Sequence, residues 1–314
     1  MSTAAAIAAA GLERLDNRPT DVLDGAILCF AFFRDEVLRL PYFLDYHRAL
    51  GVGRFFVIDN SSTDGTTPLL LAQRDVHVFA APGSYAASLC GVTWLNALLA
   101  AYAIGHWALT LDADELLVYP ACETLPLRAF TAHLARAGAN ALSGFLLDMY
   151  GAGPIRTAHY QPGAPFLATC PFFDADTYHE RTPEGLPARG GPRYRLFWEG
   201  RDRPKPSPVL HKVPLVRWRD GLRYEASTHR ISDVTLTDTT CVLLHFKLFA
   251  DLLENAAREA SRQEHWDGAA QYASYHAALR DRPDISAQFA GSVRYEGSRQ
   301  LVAIGLMRDA PCAS

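Results

Sequence analysis

The chain has 314 residues, 49% of them hydrophobic and 20% charged, with 30 Lys+Arg against 34 Asp+Glu for a formal net charge of −4. That balance excludes a disordered chain, and a pI near 6.3 leaves no basic footprint for nucleic acid or anionic lipid. No apolar run reaches the ~18–20 residues of a membrane span. Six scattered cysteines (Cys29, Cys90, Cys122, Cys170, Cys241, Cys312) form no C-x-x-C pair, which excludes a zinc ribbon and suits a reducing cytoplasm. The Ala4–Leu12 stretch lacks the basic n-region of a signal peptide and reads as a frayed tail or a short helix.

The next hundred residues alternate two periodicities, as strand–helix–strand units do. Ala26–Phe33 is an unbroken apolar run, predicting a strand covered on both faces. Asp35–Leu50 carries apolar residues at helical spacing, with Pro41 tolerable in its first turns and Gly51 at the stop. Arg54–Asp59 is a second strand, Thr66–Gln73 a short helix, and Val76–Ala80 a third strand. Ser84–Ile104 predicts a long apolar helix, and His106–Leu111 a fourth strand that runs into Asp112-Ala113-Asp114-Glu115. Leu125–Ala137 is a further helix and Ala141–Asp148 a fifth strand. Residues 151–208 then hold ten of the 19 prolines, seven glycines and seven arginines; so long an irregular stretch is usually a lid or binding region. Strands return at Val209–Trp218 and Cys241–Phe246. Leu248–Arg280 reads as a long amphipathic helix or helix pair, with Glu254 and Arg258 at i,i+4 spacing.

Three strand ends carry chemistry. Asp112 and Asp114 follow an apolar strand, at the edge where open α/β sheets bind ligands. In an extended chain residues i and i+2 share a face, so the pair can converge on one hard cation such as Mg²⁺ or Mn²⁺ beside a ligand's phosphates. The plainer alternative is a polar strand end with one Asp capping the next helix. The second end, Asp59-Asn60-Ser61-Ser62-Thr63-Asp64-Gly65-Thr66, offers Asp59 to ribose hydroxyls or a base N–H, while Asp64 suits a turn and helix start. At the third, Phe32 and Phe33 are placed to flank a base, and Arg34, Asp35 and Glu36 to meet a diphosphate, unless Asp35 is simply an N-cap.

In order and spacing these ends resemble glycosyltransferase family 2 and the nucleotide-diphospho-sugar transferase (GT-A) fold, an α/β mixed sheet flanked by helices. The match runs through Arg34-Asp35-Glu36, LPYFLDYHRALGV, FFVIDNSSTDGT and LDADE, closest to a bacterial subgroup, with Arg34-Asp35 replacing the more usual Arg-Asn. The resemblance implies residues 1–24 as a tail and 25–250 as the transferase domain. Within that domain 25–120 is the nucleotide half and 121–250 the acceptor half, with 251–314 a helical extension. It also implies transfer of a sugar from a nucleoside-diphosphate sugar to a carbohydrate or other hydroxyl acceptor, mostly with inversion. Asp59 would hold the nucleoside, together with Phe32, Arg34, Asp35, Asn60 and Asp64. Asp112 and Asp114 would hold Mn²⁺ or Mg²⁺, with His245 as a third ligand and Lys247 on the phosphates. His229 and His211-Lys212 compete for the place of His245.

Inversion needs a general base. Asp148, closing the fifth strand, is the first candidate and Asp176 the second, with Asp174, Glu180 and Glu199 in the same region. Arg181, Arg193, Arg195, Arg201 and Arg203 either recognise an anionic acceptor or are solvated. Tyr150, Phe172, Phe173, Tyr194 and Trp198 either stack on sugars or belong to the core. A lipid-linked acceptor would require peripheral membrane association. A different class, a catalytically degenerate domain that binds nucleotide or carbohydrate, is the alternative to an enzyme. The aspartyl-phosphate phosphatase reading of D-x-D fails, because here the motif lies four strands in and continues with Glu115-Leu116.

Overall fold

The structure is a computed structural model that describes residues 3–200, 207–225 and 227–310; Arg201, Arg203 and Cys312 lie outside the described residues. The N-terminal alanines form helix α1 (Thr3–Ala9), whose Ile7 is buried against the core. Strand β1 (Glu13–Arg14) precedes β2 (Ile27–Phe33), α2 (Leu40–Leu50), β3 (Val52–Asp59), α3 (Thr66–Leu71), β4 (Val76–Ala80), α4 (Val92–Tyr102) and β5 (Trp107–Thr110). Then come β6 (Glu115–Val118), α5 (Leu127–Arg136) and β7 (Ala141–Asp148). The Pro/Gly-rich stretch holds α6 (Phe166–Thr169), β8 (Phe172–Asp174), the hairpin of β9 (Tyr178–Arg181) and β10 (Pro187–Gly190), and α7 (Gly191–Phe197). β11 (His211–Arg217), β12 (Cys241–His245), the helix pair α8 (Leu252–Arg262) and α9 (Ala270–Asp281), β13 (Ser292–Arg294) and α10 (Ser298–Ala303) complete it.

Nine strands form one mixed sheet in the order β1-β4-β3-β2-β5-β11-β7-β12-β6. β4, β3, β2 and β5 are mutually parallel, β11 is antiparallel to β5 and β7, β12 is parallel to β7, and β6 is antiparallel to β12. It follows that the carboxyl ends of β2, β3, β5, β7 and β12 share one edge with the amino ends of β6 and β11. That edge gathers Arg34, Asp59, Asp112, Asp148, His245, Glu115 and Lys212. The chain reverses strand order between β2 and β5, and ligands bind at such a switch point in open α/β sheets.

Both faces of the sheet are covered, which is why β2 reads as a continuous apolar run. Cys29, Ala31 and Phe33 face Leu40, Phe43 and Leu44 of α2, while Leu28 and Phe30 face Leu95, Leu98 and Leu99 of α4. Gly144 permits the close approach of β7 and β12, since a Cβ there would sit 2.5 Å from Cys241 Sγ. A third cluster joins Leu252, Ala256 and Tyr275 of the C-terminal helices to Tyr150, Ile155 and Phe197.

Several boundaries differ from expectation for local reasons. α2 starts at Leu40 because Asp35 is left-handed (φ 53°) and the N–H groups of residues 35–37 are taken by Ser62, Thr66 and Asp64. α4 starts at Val92 because Leu89, Cys90 and Gly91 all have positive φ. Arg258 does not mark an i,i+4 pair; its guanidinium donates to Asn255 at 2.7 Å and lies 3.9 Å from Asp35. No helix among the described residues is long and apolar enough to cross a membrane.

Candidate active site

The loop after β5 turns at Ala113–Asp114 and enters β6 at Glu115. The turn breaks the extended alternation, so Asp112 and Asp114 take separate partners instead of facing one point. Lys212, at the start of β11, places Nζ 2.9 Å from Asp112 Oδ2 and 2.5 Å from Glu115 Oε1. Glu115 is fully buried and Lys212 nearly so, whereas the Asp112 side chain keeps 42% of its surface open. Burial, then the charge of Asp112, pushes the Glu115 carboxyl up to about 7. Burial opposes the charge on Lys212, but Asp112 and Glu115 raise its affinity for a proton above the usual lysine range.

Asp114 sits on the other side of the turn. Its Oδ2 is 3.3 Å from Lys247 Nζ and 3.4 Å from His245 Nε2, and its carbonyl accepts the Phe246 N–H at 2.7 Å. Burial opposes its charge, yet Lys247 and His245 hold it well below the usual carboxylate range. His245 is opposite Asp148 on β7 and opposite Glu115 on β6, so register alone juxtaposes the three. Its Nδ1 lies 2.5 Å from Asp148 Oδ1, and Asp148 Oδ2 accepts Arg193 Nε at 2.7 Å. One ligand atom from each of Asp114, Glu115 and His245 lies within 4.8 Å of the others. Two carboxylates and an imidazole suit Mn²⁺, Mg²⁺ or Zn²⁺, so these residues fit a divalent ion. Asp112 does not belong to that group.

Beside this cluster is a cavity of about 220 Å³ between the strand ends and α8. Phe32, Arg34, Glu36, Asn60, Asp112, Asp114 and Lys247 form the sheet side; Asn255, Arg258, Glu259 and Arg262 come from α8, and Tyr272 from α9. The segment after α8 is tied to the loop before α4, where Glu264 accepts Ser84 Oγ at 2.6 Å and the Ala86 N–H at 2.9 Å. Its neighbour His265 packs edge-on to Tyr85. Burial opposes the charge on Glu259, but His265 and Arg262 bring its carboxyl down to about 2. Partial burial of Glu36, whose side chain is 27% exposed, pushes its carboxyl up to about 7 despite Arg39 Nη1 at 3.3 Å. The lining carries five Arg/Lys (Arg34, Arg39, Lys247, Arg258, Arg262) against four Asp/Glu (Glu36, Asp112, Asp114, Glu259). The cavity wall is therefore nearly balanced in charge.

The structure distributes the remaining sequence-predicted residues unevenly. Phe32, Arg34, Asn60 and Lys247 line the cavity, whereas Asp59, Asp35 and Asp64 do not. Asp59 is buried and turned into its own loop, with Oδ1 accepting Ser62 N–H at 3.2 Å and Ser62 Oγ, and Oδ2 accepting Thr67 Oγ1 at 2.6 Å. Asp35 accepts the Thr63 N–H at 2.6 Å, and Asp64 ties Val37 to Thr66. Asp35 and Asp64 lace the two loops together, while Asp59 braces its own. Asp174 is buried, bound by Tyr150, Thr177 and Arg195. Asp176 and Glu199 are exposed, as is Glu180, which pairs with Arg189. His229 bonds to the His211 carbonyl, away from the ligand cluster; Arg193 and Arg195 serve Asp148 and Asp174. Tyr150, Phe173 and Trp198 are core residues, while Phe172 and Tyr194 are half-buried. The α8 lining residues were not anticipated; the run Arg258-Glu259-x-x-Arg262 on a polar helix face was their only sequence signal.

The Asp59 geometry makes a prediction. Asp59→Ala strips acceptors from Ser62 and Thr67, and leaving such donors unpaired costs about 1–3 kcal/mol. We expect a lower urea midpoint for this variant; a midpoint equal to the parent's would mean the loop does not depend on Asp59.

No protein-family model matches the sequence, and none of the curated proteins does. Among solved structures, 4-diphosphocytidyl-2C-methyl-D-erythritol synthase aligns with the chain at 14% identity and a TM-score of 0.28, covering 91% of this chain and 99% of its own. A superposition at that score carries no argument about the chemistry of the site.

Proposed function

We propose that the protein is a glycosyltransferase that binds a nucleoside-diphosphate sugar in the cavity between the strand ends and α8. The observation that carries this reading is the placement of Asp114, Glu115 and His245 within 4.8 Å of one another, beside a cavity lined by five basic side chains. Phe32 and Tyr85 supply an aromatic wall for the base, and Asn60 and Arg34 the polar contacts at its side. Arg258, Arg262 and Lys247 face the diphosphate. Asp114, Glu115 and His245 would hold Mn²⁺ or Mg²⁺, which offsets the charge gathering on the departing nucleoside diphosphate. The acceptor hydroxyl oxygen bonds to the anomeric carbon as the bond from that carbon to the phosphate oxygen breaks, the electron pair leaving with the diphosphate and the hydroxyl proton passing to water or to the released diphosphate. The cavity, at about 220 Å³, is smaller than the ~300–1,000 Å³ usual for ligand sites.

One observation favours a second reading, a nucleotide-binding module without turnover. Asp148 and Asp174 are both buried and fully engaged, so neither of these carboxylates is free to accept a proton from an acceptor. A panel of UDP-, GDP- and TDP-sugars, read by nucleotide release with Mn²⁺ or Mg²⁺, decides between the two. Release from at least one donor is expected of a transferase, and binding without release of any donor would support the module.

Glu36 gives the site a pH dependence. Its carboxyl is neutral below about 7 and anionic above, so each rise through that value adds a negative charge to the cavity wall. Measured in EDTA, so that ionisation of Glu115 cannot act through a bound ion, the affinity for a nucleoside-diphosphate sugar, whose own charge is constant over this range, is expected to fall as pH rises through about 7. Glu36→Gln should flatten the profile; an unchanged slope in that variant would assign the effect elsewhere.

A further inference from the structure

Asp148, the first candidate for a general base, is enclosed by His245 and Arg193. A general base must reach the acceptor oxygen at about 2.6–3.2 Å, or through one water. Asp148 is 1% exposed, and its two oxygens are spent on His245 Nδ1 at 2.5 Å and Arg193 Nε at 2.7 Å. An ionised carboxylate only accepts, so the imidazole must carry its proton on Nδ1. When the ring is neutral, as ligating a cation requires, the lone pair is left on Nε2, which is 3.4 Å from Asp114 Oδ2. Register fixes the pairing, because His245 lies opposite Asp148 on β7 and opposite Glu115 on β6.

We propose that Asp148, anchored by Arg193, is a positioning residue that fixes the tautomer and direction of His245, presenting Nε2 to Asp114 and Glu115 as a ligand atom. The ion-binding part of this inference rests on the reading given under the proposed function; the tautomer part does not. Carboxylates behind a ligating histidine orient the ring in this way, and their loss typically costs about 10–100-fold in metal affinity. Arg193 makes the consequence of amidation specific. In Asp148→Asn the guanidinium still requires an oxygen opposite it, which turns the amide NH₂ toward His245 and forces the ring to the Nε2–H tautomer, removing the lone pair from the site.

The test is nitrogen NMR of His245 at alkaline pH, where the ring is neutral, combined with Mn²⁺ titration. The unaltered protein should carry the proton on Nδ1. Asp148→Asn should carry it on Nε2 and bind Mn²⁺ about 10–100-fold more weakly. An Nε2–H ring in the unaltered protein overturns the proposal and needs no variant to be folded. An Asp148→Asn protein that keeps its Mn²⁺ affinity and loses only turnover overturns it too, returning Asp148 to the role of base. A Nδ1–H ring in a protein that binds no Mn²⁺ supports the positioning role and contradicts only the ion in the proposed function.

Discussion

Asp114→Ala is expected to lose metal-stimulated nucleotide binding altogether and to lower turnover by about 10²–10³-fold or more, the usual cost of removing one preorganised electrostatic group. Asp114 alone joins the cavity wall to the ligand cluster, touching Lys247 and His245 within 3.4 Å. Its removal leaves those two basic groups without their shared carboxylate and takes one ligand from the three. Nucleotide affinity measured with Mn²⁺ should therefore fall to the value measured in EDTA. An Asp114→Ala protein that still binds nucleotide more tightly with Mn²⁺ would remove Asp114 from the site.

The second large effect is on stability. Lys212→Met leaves the fully buried Glu115 without its cation, and breaking a buried pair from one side costs about 3–5 kcal/mol. Glu115 already titrates near 7, so it responds by taking up a proton, which places the cost toward the lower end. Adding Glu115→Gln removes the orphaned charge, and the double variant should recover much of the loss. Urea midpoints of the two single variants and the double variant measure this coupling. A Lys212→Met protein as stable as its parent, or a double variant no better than the single, would contradict a buried Lys212–Glu115 pair.

The sheet half of the site was legible because it depends on short-range pattern. Val76–Ala80 and Ala141–Asp148 are strands at the boundaries their apolar runs predict, and Asp59, Asp112, Asp148 and His245 reach one edge as expected of strand ends. The convergence of Asp112 with Asp114 failed, since the i,i+2 rule holds for extended chain and residues 113 and 114 form a turn. Glu115 entered only as part of a motif, because its role depends on pairing with β12 about 130 residues later, and no local periodicity encodes that register. The inward turn of Asp59 was equally hidden: Ser62 and Thr67 read as ordinary turn residues, but their hydroxyls occupy the carboxylate that the strand end offers to a nucleoside. Part of the cavity wall comes from α8, whose arginines read as a solvated helix face in the sequence but line the cavity opposite the strand ends.

The most direct test of a cation-assisted nucleotide site is a crystal grown with Mn²⁺ and a nucleoside diphosphate, with diffraction recorded at a wavelength where manganese scatters anomalously. An anomalous peak is expected within coordination distance of Asp114 and His245 Nε2, with the diphosphate in the cavity facing Lys247, Arg258 and Arg262. A nucleotide bound in that cavity with no peak beside Asp114, or a peak and nucleotide at another place on the molecule, would contradict it.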